Sequence, residues 1–310
     1  MTRIGIIGAG VVGAATGKGF HKLGHEVIFY DISQRRLATL KEEGFGIVSS
    51  VKDVIQKTDL SFICVNTPTL TSATTKDSKQ DLSQIMSVLF DTAKALNDGS
   101  IKKHHLLVFR STMLPGTMRN IIVDYLRTNC YLKQGKDYDV CYNPEFLRQH
   151  YALNDFFHPD RVVIGEEDGK GISSLPLRQI YEGLSSHIIT TTYEAAELIK
   201  YASNCFLSLK ISFFNEIGMI CRDLGIDDKE VTSAVSLDKR IGTYGTKAGR
   251  PFGGTCLPKD TEAMTSFVKK LQIKPDLLQI VLDINRKMEE LTSTKQVMRE
   301  IRDGYTSTTG

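Results

Sequence analysis

The sequence predicts an α/β fold in which a doubly wound parallel sheet is followed by an all-helical central domain. Short apolar runs typical of buried strands alternate with amphipathic stretches in the first part of the chain, an order that favours parallel strands joined by helical crossovers. From Tyr193 the pattern becomes one long helical periodicity, which Gly225 ends. A length of 310 residues also exceeds the usual single core. We therefore predict domains over residues 1–190 and 191–303, with a polar tail over 304–310.

Composition and charge argue against several classes of protein. Hydrophobic residues make up 41% of the chain and charged residues 24%, which is ordinary for a globular protein. The formal charge of +3 is too small to indicate nucleic-acid binding. No apolar run approaches the roughly 18 residues of a membrane span. The 6 cysteines lack CxxC spacing, which predicts reduced thiols in the cytoplasm and neither a disulfide framework nor a metal site.

The first strand-like run, "RIGII", leads into a glycine-rich turn and a helix. Gly8 permits a tight turn, Gly10 lets the backbone approach a pyrophosphate, and Gly13 lets the helix pack against the strand. Val11 and Val12 open the helix, whose N-terminal N–H groups can bind phosphates. Strand, turn and helix together are typical of a Rossmann dinucleotide-binding unit.

The second strand-like run, "EVIFY", is followed by Asp31, at about the spacing expected of the acid that binds the adenosine ribose. A carboxylate at this position accepts hydrogen bonds from the ribose hydroxyls and repels a 2′-phosphate. The cofactor is therefore predicted to be NAD. Arg35 and Arg36 keep NADP open as an alternative.

Two polar segments follow later strand-like runs, at residues 66–69 ("NTPT") and 110–117 ("RSTMLPGT"). Turns that leave the carboxyl ends of parallel strands face the ligand in such sheets. We expect both segments at the cofactor.

The long helix that begins at Tyr193 carries Lys200 and Asn204 one turn apart on the same face. An ammonium and an amide side by side could hold a polar substrate oxygen. The helix is apolar over much of its circumference, as a buried or interfacial helix would be. The alternative is a solvated lysine on an outer face.

Residues 238–260 form a glycine-rich, basic segment that contains "FGGTCLPKD". Pro258 suits the first turn of a new helix, which places Cys256 just before the N-terminus of that helix. The partial positive charge there, together with Lys259, favours thiolate over thiol and predicts a reactive nucleophile. The alternative is a small apolar residue packed in a turn.

Six segments in this order resemble the UDP-glucose/GDP-mannose dehydrogenase family: "GAGVVG", "VNTPT", "STMLPGT", "YNPEFLRQHYALNDFFHPDRVVIG", "ELIKYASNCFLSLKISFFNEI" and "FGGTCLPKD". The resemblance implies oxidation of a primary alcohol on a nucleotide sugar to a carboxylate, with two NAD molecules used in succession. The segment "NPEFL…DF…PDRVVIG" is most similar to the UDP-glucose branch, which makes UDP-glucuronate.

The resemblance also implies roles for individual residues. Cys256 would trap the intermediate aldehyde as a thiohemiacetal and then carry a thioester that water cleaves. Lys200 and Asn204 would stabilise oxyanion charge at the reacting carbon. Asp260 would hold water or orient Lys200.

Thr112 and Glu145 would position water and substrate for proton transfer. Further positions match cofactor contacts of the family: Asp31, Arg36, Thr67, Thr112 and Lys259. Others match substrate contacts: Glu145, Phe146, Leu147, Lys200, Asn204, Arg240, Phe252 and Gly253.

The family resemblance implies a homodimer. In the family an arginine at the position of Arg240 reaches the substrate of the partner subunit. The central helix predicted over residues 275–302 has an apolar stripe that something must bury, formed by Leu278, Val281, Leu282 and Met288. We expect the same helix of a second subunit to cover it.

Two departures from the family pattern affect these expectations. Gln149 and His150 stand where the family has Glu-Gly, so thioester hydrolysis would titrate near a pKa of about 6.5 if His150 acts as a base; the alternative is a surface histidine. Family members also continue into a second Rossmann-like domain that holds the substrate nucleotide, and the sequence shows none. We therefore expect weak affinity for a nucleotide sugar unless another chain supplies that domain.

Two other functions stay open at this stage. A single-step hydroxyacid dehydrogenase of similar architecture would use a lysine and an asparagine one turn apart and would not need Cys256. A non-catalytic NAD-binding fragment is the other.

Overall fold

The computed structural model describes residues 1–71, 78–99, 101, 103–184 and 186–306. The chain divides into two compact units, and each is described separately below. The first comprises Met1–Pro68 and Gln80–Lys200, and the second comprises Thr69–Lys79 and the chain from Tyr201 onward.

The first unit is built on a large sheet. Eight of the described strands form this sheet, and the other two pair with each other. In chain order the strands are β1 Arg3–Ile7, β2 Glu26–Tyr30, β3 Gly46–Ile47, β4 Leu60–Ile63, β5 Thr69–Thr71, β6 Ser78–Gln80, β7 His105–Phe109, β8 Tyr138–Tyr142, β9 Arg161–Glu166 and β10 His187–Thr192. The order in the sheet is β10-β9-β8-β7-β4-β1-β2-β3, and β5 pairs with β6. This order, with a switch point between β1 and β4, confirms the predicted doubly wound α/β fold.

The helices are α1 Val11–Lys22, α2 Gln34–Glu42, α3 Val51–Lys57, α4 Ser83–Asn97, α5 Asp124–Asn129, α6 Ala152–Phe157, α7 Leu175–Tyr181, α8 Tyr193–Leu224, α9 Asp228–Ser236, α10 Leu257–Lys270 and α11 Asp276–Thr306. A π-helical turn, Met118–Val123, precedes α5, and a 3-10 turn, Gln149–Tyr151, precedes α6.

Apolar side chains on both faces of the sheet explain why its strands read as continuous apolar runs. In β7, Leu106 and Val108 join one buried cluster, whereas Leu107 and Phe109 join the other. Neighbouring residues of a strand point to opposite faces, so a strand with helices on both sides needs apolar residues at every position.

The register aligns the carboxyl ends of five strands. Pairing runs Tyr30 to Ile7, Ile7 to Ile63, Ile63 to Phe109, and Phe109 to Tyr142. The segments that follow these residues therefore leave the sheet along one edge, where ligands bind in folds of this kind.

The sheet departs from the prediction at one junction. β9 pairs antiparallel with β8, at Tyr142 and Gly165, and parallel with β10. The last two strands thus run opposite to the others, and the predicted parallel sheet is mostly but not entirely parallel. A strand buried on both faces is apolar whichever way it runs, so its direction is not visible in "RVVIG".

Helix α8 ends where the sequence predicts. Gly225 has a φ of 70°, and the N–H of Ile226 donates to the carbonyl of Cys221 at 2.8 Å. A glycine in the left-handed region with such a bond closes a helix without steric cost.

The second unit consists of helices and a short hairpin. Helix α10 packs on α11, and the N–H of Ser78 in β6 donates to the Ser266 hydroxyl of α10 at 2.9 Å. The sequence contains no signal that Thr69–Lys79 belongs with the later helices.

The predicted stripe on the last helix is covered in part by the chain itself. Val281 is 1% exposed and Met288 is 2% exposed, and Leu278 and Leu282 are half-buried. The expectation that this stripe needs a partner is therefore wrong for its two buried members. Helix α11 runs on to Thr306, and residues 307–310 of the predicted tail lie outside the described residues.

The burial of His105 predicts how the free energy of unfolding depends on pH. Its ring is fully buried, its Nδ1 lies 3.2 Å from the Thr58 carbonyl, and its Nε2 lies 2.8 Å from the Ser61 hydroxyl. A carbonyl only accepts, so Nδ1 carries the proton and Nε2 accepts from Ser61. Burial lowers the pKa of His105 to about 3.

The unfolded chain binds a proton at its histidines near pH 6.5, whereas folded His105 does not. Stability from this residue is thus present above about pH 6.5 and falls as the pH drops toward 3, by at most about 1.4 kcal/mol per pH unit. Urea unfolding between about pH 7 and 5 measures this slope. We expect His105→Leu to reduce it and His158→Leu, at an exposed histidine, to leave it unchanged; an unaltered slope in His105→Leu would contradict the assignment.

Candidate active site

The glycine-rich turn after β1 has the geometry that its sequence predicts. Gly8 has a φ of 96°, and a Cβ there would lie 2.7 Å from the Cys64 carbonyl oxygen. A Cβ on Gly13 would lie 1.9 Å from the Gly8 carbonyl oxygen, so only glycine permits this contact between helix and turn. A Cβ on Gly10 would have no heavy atom within 4 Å. Open space above Gly10, at the start of α1, leaves room for a phosphate.

Asp31 fixes this turn. Its Oδ2 accepts from the Ala9 N–H at 2.6 Å and its Oδ1 from the Ser33 N–H at 2.7 Å. The half-exposed Arg36 guanidinium lies 3.5 Å from Oδ2. The carboxylate therefore ties the end of β2 to the turn after β1, a contact that the sequence analysis did not anticipate.

The two polar segments expected at the cofactor lie together. The Thr67 hydroxyl donates to the Thr112 carbonyl at 2.7 Å. The Gln80 amide donates to the same carbonyl at 2.8 Å and accepts from the Leu114 N–H at 3.1 Å. Gln80 was missed by the sequence analysis because it lies in a polar run without a motif.

Lys200 is buried in an ion pair. Its Nζ lies 3.0 Å from Oε1 of Glu145 and donates to the Glu145 carbonyl at 2.5 Å. The side chains are 4% and 8% exposed. Burial opposes ionisation of Glu145, but the Lys200 ammonium and the Leu147 N–H hold the pKa of this carboxyl below its usual value. The alternative of a solvated lysine is wrong.

Aromatic contacts surround this pair. The Lys200 ammonium lies 5.3 Å from the centroid of the Phe146 ring, and the Arg161 guanidinium lies 4.1 Å from the same centroid. Each cation is attracted to the ring, and this attraction is stronger where water is excluded. Phe146 is thereby held beside the ion pair.

Glu197 is a functional candidate that the sequence analysis missed. It is fully buried, its Oε2 accepts from the Gly116 N–H at 2.6 Å, and its Oε1 accepts from the Met118 N–H at 2.7 Å. Gly116 lies within the segment 110–117 that carries Thr112, and Met118 directly follows that segment. The signal for it was the spacing from Lys200, which places both residues on one side of α8.

In the second unit, Asp260 joins two of the predicted residues. Its Oδ2 accepts from the Asn204 amide at 2.6 Å, and its Oδ1 lies 2.7 Å from the Lys259 ammonium. Asp260 is fully buried. The carboxylate thus orients the amide of Asn204 and neutralises Lys259.

Cys256 is the one exposed cysteine of the six. It caps α10, where its carbonyl accepts from the Asp260 N–H at 2.8 Å, and a proline lies in the first turn of that helix. The alternative of a packed apolar residue is therefore wrong. By contrast, burial raises the pKa of the Cys205 thiol to about 12.

A cavity of about 430 Å³ lies in the second unit, a volume typical of small-molecule sites. It is lined by Ile211, Thr243, Tyr244, Gly245, Lys247, Arg250, Pro251, Phe252, Gly253 and Leu257. The cavity thus brings together two basic residues, two aromatic rings and glycine backbone. Arg240 is outside this lining, and its exposed guanidinium pairs with Asp238 at 2.6 Å.

Gln149 and His150 lie on an exposed 3-10 turn. Beside them the Arg148 guanidinium pairs with Asp155 at 2.5 Å and stacks on Tyr151 at 4.9 Å. His150 as a base in thioester hydrolysis stays a prediction.

Within the described ranges, no helix combines the length and apolarity that a bilayer crossing requires. The same residues contain no group of three or more His, Cys, Asp or Glu that could hold a metal ion.

A Rossmann sheet with this turn and acid, followed by a helical unit, defines an NAD-dependent dehydrogenase of the two-domain type. Two domains of the UDP-glucose/GDP-mannose dehydrogenase family match the chain. The NAD binding domain matches residues 2–51 and 43–185, and the central domain matches residues 194–287. The chain belongs to the UDP-glucose/GDP-mannose dehydrogenase family, whose members use NAD to oxidise nucleotide sugars.

Relatives of known name support this assignment. GDP-mannose 6-dehydrogenase of Pseudomonas putida is 34% identical over 305 residues, covering 91% of this chain and 68% of that protein. UDP-glucose 6-dehydrogenase of Rickettsia bellii is 33% identical over 315 residues, covering 94% and 68%. The structure of a UDP-glucose dehydrogenase from Pyrobaculum islandicum matches with a TM-score of 0.82 at 33% identity, covering 93% of this chain and 68% of that one.

The burial of Glu197 predicts a second dependence of stability on pH, opposite in sign to that of His105. Burial raises the pKa of Glu197 to about 8, against the lowering effect of the two backbone N–H groups. The unfolded carboxyl ionises near pH 4.5, so the folded state binds more protons between these values. Stability from this residue is present below about pH 4.5 and is lost as the pH rises toward 8, by at most about 1.4 kcal/mol per unit.

Urea unfolding between about pH 6 and 9 checks this prediction. We expect Glu197→Gln to remove most of the slope. The matched control is Glu194→Gln, one turn earlier on α8, whose carboxylate pairs with Arg119 at 2.5 Å and should keep the slope. A wild-type slope in Glu197→Gln would show that the carboxyl is ionised throughout this range.

Proposed function

We propose that this chain oxidises the primary alcohol of UDP-glucose to the carboxylate of UDP-glucuronate in two NAD-dependent steps, through a covalent bond to Cys256. The observation that carries the proposal is the exposed thiol at the N-terminus of α10. NAD, when bound, accepts a hydride from the sugar carbon at each oxidation.

The residues of the chain complete the reaction between these transfers. The first oxidation releases a proton and gives an aldehyde, to which the Cys256 thiolate adds as a thiohemiacetal. The second oxidation gives a thioester. Water then cleaves the carbon–sulfur bond, releasing the carboxylate and restoring the thiol, so one alcohol consumes two NAD and one water.

Lys200 is proposed to stabilise the oxyanion at the reacting carbon, together with Asn204. An ammonium has three N–H donors, and the two bonds to Glu145 use two of them. The third donor suits a substrate oxygen. Asp260, bonded to Asn204, is proposed to orient its amide, whereas Glu145 and Thr112 are proposed to position water and substrate.

We propose the remaining assignments on the same footing. The cofactor would be held by Gly8, Gly10, Val11, Val12, Gly13, Asp31, Arg36, Thr67, Thr112 and Lys259. The substrate would be held by Glu145, Phe146, Leu147, Lys200, Asn204, Arg240, Phe252 and Gly253. The basic residues of the cavity wall, Lys247 and Arg250, suit the diphosphate of a nucleotide sugar.

The choice of UDP-glucose over GDP-mannose rests on the segment "NPEFL…DF…PDRVVIG". The relatives leave the choice open, because the GDP-mannose 6-dehydrogenase of Pseudomonas putida and the UDP-glucose 6-dehydrogenase of Rickettsia bellii are almost equally similar to this chain, at 34% and 33% identity. Initial rates with the two nucleotide sugars decide it, and faster turnover of GDP-mannose would overturn the choice.

We further propose a cytoplasmic homodimer. Helix α8 presents three large apolar side chains at seven-residue spacing, with Phe206 61%, Phe213 52% and Ile220 50% exposed. Seven-residue spacing is the pattern by which two long helices pair along their length. This stripe, and not the covered stripe of α11, supports a second copy as the partner.

Replacing the thiol tests the mechanism. We expect Cys256→Ser to form no more than one NADH per active site and to lose steady-state turnover, because no thioester can form. A stopped-flow measurement of NADH with UDP-glucose counts the equivalents. Cys130→Ser, at a half-buried cysteine in the first unit, is the matched control and should turn over normally; full activity of Cys256→Ser would overturn the thioester scheme.

A further inference from the structure

The glycine-rich segment that forms one wall of the cavity is held by two buried asparagines from different helices. Asn215 lies on α8 and is 1% exposed, and Asn285 lies on α11 and is 5% exposed. Asn215 lies within a segment that carries the family resemblance and Asn285 lies in none, and the chemistry described above uses neither. Both side chains nevertheless bond to the backbone of a single four-residue stretch, Gly249–Phe252.

Each amide makes a two-point contact with that backbone. The Asn215 oxygen accepts from the Gly249 N–H at 2.8 Å, and its nitrogen donates to the Arg250 carbonyl at 2.8 Å. The Asn285 oxygen accepts from the Phe252 N–H at 2.7 Å, and its nitrogen donates to the Phe252 carbonyl at 3.2 Å. An amide is suited to this contact because it has a donor and an acceptor without charge.

The stretch between the two contacts is part of the cavity. Arg250, Pro251 and Phe252 line it, and the Phe252 side chain is 3% exposed. Gly249 has a φ of 97°, a conformation that needs external bonds to persist because glycine is otherwise free to leave it. Fixing the backbone at both ends therefore fixes the direction in which Arg250 projects.

The same clamp determines where the chain goes next. Only three residues separate Phe252 from Cys256, and Gly254 among them has a φ of 78°. The four residue steps from Phe252 to Cys256 span at most about 14 Å, so the position of Phe252 limits where Cys256 can lie. The two asparagines thus hold the backbone of the cavity wall and also the backbone that leads to Cys256.

We propose that Asn215 and Asn285 are positioning residues that hold the Gly249–Phe252 backbone in the conformation that binds the nucleotide sugar. This inference rests on the proposed function, because it assigns the cavity to that substrate. It predicts a specific pattern: variants at either asparagine weaken nucleotide-sugar binding and leave NAD binding, for which the first unit supplies every proposed contact except Lys259, nearly unchanged.

The experiment uses Asn215→Leu and Asn285→Leu in the full chain, with titration of UDP-glucose and, separately, of NAD. Each variant removes both backbone bonds, and loss of buried bonds of this kind weakens binding by about tenfold or more. We expect the dissociation constant and KM for UDP-glucose to rise by that factor, with the dissociation constant of NAD within about twofold of wild type. If leucine prevents folding, Asn215→Asp keeps an acceptor for the Gly249 N–H but replaces the donor to the Arg250 carbonyl by an acidic oxygen, and should weaken UDP-glucose binding in the same direction.

The chain offers a matched control. Asn97 in the first unit makes the same kind of contact, accepting from the Tyr131 N–H at 2.7 Å and donating to the Asn129 carbonyl at 2.7 Å. Asn97→Leu likewise removes two bonds to the backbone, here at a half-buried site, and should not change UDP-glucose binding. A general loss of stability would affect all the variants alike, whereas positioning affects only the two at the clamp.

The outcomes separate the inference from the proposed function. Weaker UDP-glucose binding in the clamp variants alone supports the inference. Binding equal to wild type in those variants overturns it and leaves the proposed function standing. Absence of binding of both UDP-glucose and GDP-mannose to the wild-type chain overturns the substrate assignment and the inference with it.

Discussion

The buried ion pair between Lys200 and Glu145 is the constraint on which the arrangement of the first unit depends. Both charges are removed from water, and such a pair is tolerated only when the charges approach closely and further hydrogen bonds support them. Glu145 meets this condition through the Leu147 N–H at 2.6 Å, and Lys200 through the Glu145 carbonyl as well as its carboxylate. The pair therefore fixes the segment after β8 against α8, with a charged group held ready at the edge of the sheet.

The edge of the sheet explains why a few residues far apart in sequence meet. Five aligned strand ends deliver the glycine turn, Asp31 and the segments after β4, β7 and β8 to one side. Helix α8 then secures two of these segments, one through Glu197 and one through Lys200. The geometry of the edge is thus set by backbone bonds to two buried ionisable side chains, and it leaves the space above Gly10 open for the cofactor.

Sequence reasoning succeeded where the local backbone conformation or packing admits only one residue type. Gly8 and Gly13 are required by a positive φ and by a contact that any Cβ would block, and Gly225 ends its helix for the first of these reasons. It failed where the answer depends on tertiary partners. Four features follow from contacts between residues far apart in sequence, which no local pattern records. They are the direction of β9, the bonds of Asp31 to the glycine turn, the role of Glu197 and the membership of Thr69–Lys79 in the second unit. The exposure of Cys256 lies between these cases, since its place before Pro258 was readable but its access to solvent was not.

A double-mutant cycle on Lys200 and Glu145 tests the central constraint most directly, with the free energy of unfolding in urea as the measured quantity. We predict that Lys200→Met alone costs about 3–5 kcal/mol, because it leaves a carboxylate buried without its partner. Adding Glu145→Gln removes that charge and should restore part of the loss, so that the double variant is more stable than the sum of the single losses implies. Single losses that simply add, to within about 0.5 kcal/mol, would show that the two side chains do not depend on each other and would contradict the account.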